Sequence, residues 1–164
     1  MFGPDGLVLL ADGTRKRVDE IVKGDEFPSG ARVIAAVVFN TTTGYSLVNV
    51  KGAMFSPHHP VSTGAATSEP WVEAIDAACE YDVHVEDIVY NFVLDKDNVI
   101  DINGVHAVTL AHDFNDATLD HPYFGRTKLV LVDLMKKGGW FDGLVVFNDP
   151  LIFRDADGLV CKIA

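Results

Sequence analysis

Short apolar or alternating runs, broken by two-residue turns rich in Gly and Asp or Asn, dominate the chain, and that pattern is the mark of β-hairpins. Leu7 to Ala11 and Thr14 to Val18 flank Asp12-Gly13; Val99 to Ile102 and Val105 to Val108 flank Asn103-Gly104; Leu151 to Arg154 and Leu159 to Ile163 flank Asp157-Gly158. Each pair predicts two short antiparallel strands. Between them Arg32 to Phe39, Tyr45 to Val50 and Ile88 to Leu94 are of strand length and rich in β-branched and aromatic residues, with Thr41-Thr42-Thr43-Gly44 read as a hairpin loop. The first 110 residues predict an all-β domain.

Helical periodicity is sparse. From Thr127 to Lys137 the apolar positions Leu129, Val130, Val132 and Leu134 fall near helical spacing, and Gly138-Gly139 stops the run. A second candidate, Glu69 to Cys79, places Trp71, Ala74, Ile75 and Ala78 on one face but is short and begins at a proline. No repeat and no low-complexity linker interrupts the chain.

Composition narrows the class. With 164 residues, 48% of them hydrophobic and 23% charged, the chain can bury one sizeable core and is not disordered. Its longest apolar run, Val33 to Phe39, is far short of the roughly 20 residues of a membrane-spanning helix. No basic region precedes Leu7-Val8-Leu9-Leu10, so neither a signal peptide nor a membrane partner is expected, and a cytoplasmic setting is slightly favoured. Thirteen Lys and Arg against 24 Asp and Glu leave a net charge of −11, which repels phosphate backbones and argues against nucleic acid. Cys79 and Cys161 could form one bridge but no disulfide framework and no four-cysteine zinc site.

Chemistry concentrates in Phe55-Ser56-Pro57-His58-His59-Pro60-Val61. A hydroxyl three residues before an imidazole, at the end of a strand and in a proline-braced loop, can aim both groups at one point. There the histidine could protonate a departing amide nitrogen while the hydroxyl orients the carbonyl. The competing reading is an ordinary stiff loop whose histidines cap backbone groups. The six histidines, His58, His59, His84, His106, His112 and His121, lack H-E-x-x-H or paired-cysteine spacing, so no metal and no cofactor is expected. A metal hydrolase remains the competing enzyme class. There is no glycine-rich phosphate loop, G-x-S-x-G elbow or dinucleotide fingerprint.

The order of segments adds more than any one of them. Phe2-Gly3-Pro4-Asp5, Leu9 to Thr14, Val18 to Asp25 and Ser56 to Val61 occur in sequence, followed by Trp71 to Ala74, Val89 to Leu94 and Ile102 to Val105. This succession resembles the Hint domain shared by hedgehog autoprocessing domains and inteins. Thr109 to His112, His121 to Gly125 and Gly138-Gly139-Trp140 are similar to the variety attached to von Willebrand A-type domains. The resemblance implies a mostly β, compact Hint-like fold built from hairpins, with a short helix and an extra segment near the C-terminus. It also implies a core over 1–110 and a C-terminal extension over 111–164 packed on it as one domain.

The activity it implies is self-processing. A first-position cysteine attacks the carbonyl of the preceding residue, forming a thioester that a second nucleophile resolves. By motif match Ser56 and His59 take the places of the family's Thr and His in T-x-x-H, and His112 is a further candidate for the site, with a packing role as its alternative. Met1 stands where the family has cysteine. A thioether has no proton to lose and cannot form the thioester, so the chain as written is expected to be inactive. Read as the start of a chain, Met1 also has no upstream bond to cut. Ala107 and Asp113 leave no His-Asn ending for splicing, and no acid stands at Val38 to Asn40 for sterol transfer. The implied partner is the protein's own upstream polypeptide, and a monomer is expected. Met1 is either a replacement in an otherwise active module or the mark of a natural module that kept only its fold, acting as a binding or scaffold domain for a basic partner. The retained Ser56 and His59 favour the first.

Overall fold

The computed structural model describes residues 1–64, 70–78 and 83–164. It is mostly β, with strands β1 (Leu7–Leu9), β2 (Arg15–Arg17), β3 (Val33–Val50), β4 (Ala53–Phe55), β5 (Pro60–Ser62), β6 (Val72–Glu73), β7 (Val83–Leu94), β8 (Val99–Ile102), β9 (Val105–Val108), β10 (Leu144–Asn148), β11 (Ile152–Arg154) and β12 (Val160–Ile163). The helices are α1 (Ala74–Ala77) and α2 (Thr127–Met135). One sheet runs β2-β1-β8-β9-β5-β6; a second joins β10, β3 and β4 with β7 alongside β3; β11 and β12 form a separate hairpin.

All three turns marked by Gly close hairpins. At Asn103-Gly104 the φ angles are 54° and 77°, the left-handed pair that a tight primed turn requires and that Asn-Gly accepts at least cost. Lys51-Gly52, with φ of 51° and 81°, makes a second such turn between β3 and β4.

The Thr41 to Gly44 hairpin loop expected from sequence is not formed. Both halves of β3 pair antiparallel with the same strand β7, Asn40 opposite Ile88 and Tyr45 opposite Glu86, so residues 41–44 bulge from one continuous strand. Three β-branched threonines keep the backbone extended, and Gly44 at φ 75° absorbs the kink. The Asp149 carboxylate accepts the Thr42 amide at 2.8 Å and its hydroxyl at 3.1 Å, which ties the bulge down.

The helix expected over Glu69 to Cys79 reduces to Ala74–Ala77 among the described residues. Val72 and Glu73 are strand, paired with Val61 and Pro60. Sheet pairing of β-branched Val72 overrides the weak helical face. Glu69 and Cys79 lie outside the described residues, while Cys161 is free and exposed.

The alternation of β3 and β7 builds two cores at once. Val33, Ala36, Val48, Phe92 and Leu94 join Phe2, Val8, Phe27, Phe55 and Ile102 in one; Val37, Phe39, Leu47, Val89 and Val93 join Tyr123, Val130, Leu134, Val145 and Phe147 in the other. The second core draws on residues past 111. β10 lies parallel to β3, Val145 beside Val37 and Phe147 beside Phe39, with the two phenyl rings stacked at 5.1 Å. Among the described residues no helix is long and apolar enough to cross a membrane.

Candidate active site

The first residues are threaded between β4 and β7. Phe2 exchanges backbone hydrogen bonds with Tyr90, both 2.9 Å, and Gly3 N–H donates to the Met54 carbonyl at 2.8 Å. The Phe2 side chain is fully buried, against Phe55 (centroids 6.0 Å) and Phe92 (5.9 Å). A buried phenyl contributes roughly 1.5–3 kcal/mol, so Phe2 helps to anchor residue 1, whose own side chain packs on the second core.

From the other side comes the loop after β4. His59 N–H donates to the Ser56 carbonyl at 2.9 Å with Pro57 at the second position of the turn, and Ala74 and Ile75 amides hold the His59 and Pro57 carbonyls, each at 2.9 Å. Ser56 then grips residue 1 twice. Its N–H donates to the Met1 carbonyl at 3.0 Å and its Oγ accepts from the Met1 nitrogen at 2.9 Å.

The same nitrogen lies 2.8 Å from His59 Nδ1. His59 Nε2 is 2.9 Å from the Val108 carbonyl, and since a carbonyl can only accept, Nε2 carries the proton and Nδ1 presents a lone pair to residue 1. The ring is 8% exposed and lies edge-on to Phe2 at 4.8 Å. Burial first, then the adjacent amino group, holds its pKa well below the usual 6.5. Burial likewise pulls the Met1 amino group from 8.0 to about 5. At neutral pH both groups are uncharged.

Met1, Ser56 and His59 therefore meet at one point. His112 does not join their hydrogen bonds, although it lines the same cleft of about 980 Å3. Its Nδ1 accepts the Phe114 amide at 3.0 Å and its ring stacks on Phe114, which leaves the neutral ring's proton on Nε2. Burial lowers its pKa. His58 turns outward to Glu73, 2.8 Å away, on an exposed surface. Among the described residues no group of three or more His, Cys, Asp or Glu is placed to hold a metal ion.

Two further neighbours of the site were not assigned to it from the sequence. Asn91, buried on β7, extends Nδ2 to 3.9 Å from the Met1 sulfur while its Oδ1 accepts the Phe92 amide at 2.8 Å. A lone polar residue in the apolar run Val89 to Leu94 was the available clue. His121 also lines the cleft, with Nδ1 accepting the Tyr123 and Phe124 amides at 3.1 and 3.0 Å.

No curated protein matches the chain. A family model described as Vint, a Hint domain, matches residues 2–162. A match over that span, on a mostly β fold that holds residue 1 between a hydroxyl and an imidazole, places this chain in the Hint-domain family Vint, whose domains are of the autoprocessing type.

Proposed function

We propose that the domain is built to cleave the peptide bond preceding residue 1 by an N-to-S acyl shift, and that Met1 leaves this chain without the nucleophile. One observation carries the reading: His59 Nδ1, its tautomer set by Val108, lies 2.8 Å from the nitrogen that would leave. With cysteine at position 1, Sγ attacks the carbonyl carbon of the preceding residue. The C–S bond forms, the C–N bond breaks, and the thiol proton ends on the nitrogen. His59 relays that proton, accepting it at Nδ1 and delivering it across the same short contact. Ser56 Oγ holds the N–H in line, and Asn91 Nδ2 supplies a donor on the sulfur side. His112, which lines the same cleft, takes a supporting role.

The released amine stays neutral because burial holds its pKa near 5, so it remains able to attack the thioester in reverse. A second nucleophile, which breaks the C–S bond, is needed to draw the reaction forward. The polypeptide released is the parent protein's own upstream portion, which the resemblance points to as a von Willebrand A-type domain, and the module acts as a monomer. Met1 itself favours one second reading, a module that kept the fold and works as a non-catalytic binding domain, its net charge of −11 suited to a basic partner.

The test is Met1→Cys in a fusion with a short upstream peptide. The expected result is release of the peptide by mass, faster with added hydroxylamine, which intercepts thioesters. An intact fusion from a folded domain contradicts the first reading and favours the second.

A further inference from the structure

A second cavity, of about 750 Å3, opens beside the cleft where the Phe27 to Ser29 turn and residues 114–119 close over β8 and β9. Its lining includes the aromatic residues Trp71 and Phe114, beside the core residue Phe27, and its charged side chains are all carboxylates, Asp97, Asp101 and Asp116. No lysine or arginine lines it. Arg15 pairs with Asp101 at 3.0 Å, but among the described residues no cation pairs with Asp97 or Asp116. The catalytic cleft shares only Trp71 and Leu119 with it, and neither Ser56 nor His59 reaches it.

A pocket of this volume matches small-molecule sites, which combine an apolar body with a few polar groups that fix orientation. Aromatic faces attract cations, and lining carboxylates that no cation pairs with among the described residues, in a protein of net charge −11, add to that attraction. We propose that this cavity is a binding site for a small organic cation: an aromatic or aliphatic body seated against Trp71 and Phe114, with an ammonium group facing Asp97 and Asp116. The site is independent of the acyl-shift reading, since it uses none of the residues around Met1.

The probe is 2-phenylethylamine, titrated into the intact chain at pH 7 and low salt and followed by amide chemical shifts. 3-Phenylpropionate, the same body with a carboxylate, is the control. The expected result is saturable shifts at Trp71, His106 and Phe114 with the amine and none with the acid. Asp97→Asn/Asp116→Asn should weaken binding about 5-fold, the scale of exposed ion pairs in water, and the loss should shrink at high salt. Both side chains are exposed, and Asn tolerates the left-handed φ of 60° at position 97, so this variant keeps its fold. Trp71→Leu, which keeps apolar bulk and loses the ring face, should weaken binding about 5-fold or more. Equal binding of amine and acid, unchanged affinity in the double Asn variant, or no saturable shift at these residues overturns the proposal.

Discussion

His59 Nε2 donates to the Val108 carbonyl at 2.9 Å, joining the loop after β4 to the end of β9 across 49 residues of chain. That bond decides which ring nitrogen faces residue 1. A histidine with its other nitrogen protonated would place two N–H donors nose to nose at Met1. The Val108 carbonyl, fixed in the sheet by the Val99 to Val108 pairing, removes that choice.

The tautomer is directly observable. Nitrogen NMR of the histidine rings should find His59 neutral at pH 7, protonated at Nε2 and bare at Nδ1, and still neutral at pH 6 because its pKa lies well below 6.5. A positively charged His59 ring at pH 7, or a proton on Nδ1, contradicts the geometry.

Stability should fall on acidification, and the sign follows from proton counting. The Met1 amine titrates near 8.0 when unfolded and about 5 when folded, so between those values the unfolded chain binds more protons. Stability therefore rises with pH across that window. His59 adds to the same slope below pH 6.5. At about 1.4 kcal/mol per unit the amine's share reaches on the order of 4 kcal/mol, so the urea midpoint should drop clearly between pH 8 and pH 5. A flat midpoint over that range would show that neither group is buried uncharged.

β10 owes its place to one glycine. Gly139 has φ 86°, and a Cβ there would collide with the backbone carbonyl oxygen of Leu144, the first residue of β10. The Gly139 carbonyl also accepts the Leu144 amide at 3.0 Å. Gly139→Ala should cost about 1–3 kcal/mol, read as a lowered melting temperature, because it combines left-handed strain with a backbone clash. Gly138→Ala is the control, having open space at its Cβ and no positive φ; equal effects at both positions would contradict the account.

Much of this was legible before the structure, and the rest failed for physical reasons. Asn103-Gly104 names its turn because few residues accept two left-handed angles. Lys51-Gly52 makes the same turn with a residue that does not advertise it. Thr41 to Gly44 reads alike as a loop or a bulge, since only the partner strand β7 decides whether the chain reverses. β10 lies parallel to β3, a pairing more than 100 residues apart that no local pattern encodes. At the site, the spacing of Ser56 and His59 indicated that a hydroxyl and an imidazole could be aimed at one point, and both lie against the Met1 nitrogen. The spacing alone leaves open whether that point is a surface cleft, where substituting His59 would leave stability untouched. The ring is instead buried between Phe2 and the β9 end, so His59→Ala should destabilise as well as disarm.

The central claim is that His59 serves the nitrogen of residue 1, and one comparison tests it. Cleavage rates are measured for the Met1→Cys fusion alone and with His59→Ala or Ser56→Ala, each normalised to the folded fraction found by thermal denaturation. The account predicts that His59→Ala slows thioester formation by roughly 10² to 10⁴ fold, the range for losing a general acid or base. Ser56→Ala, which removes one orienting hydrogen bond, should cost less. If His59→Ala lowers only the folded fraction and the folded remainder cleaves at the unchanged rate, the imidazole is a packing group and the account is wrong.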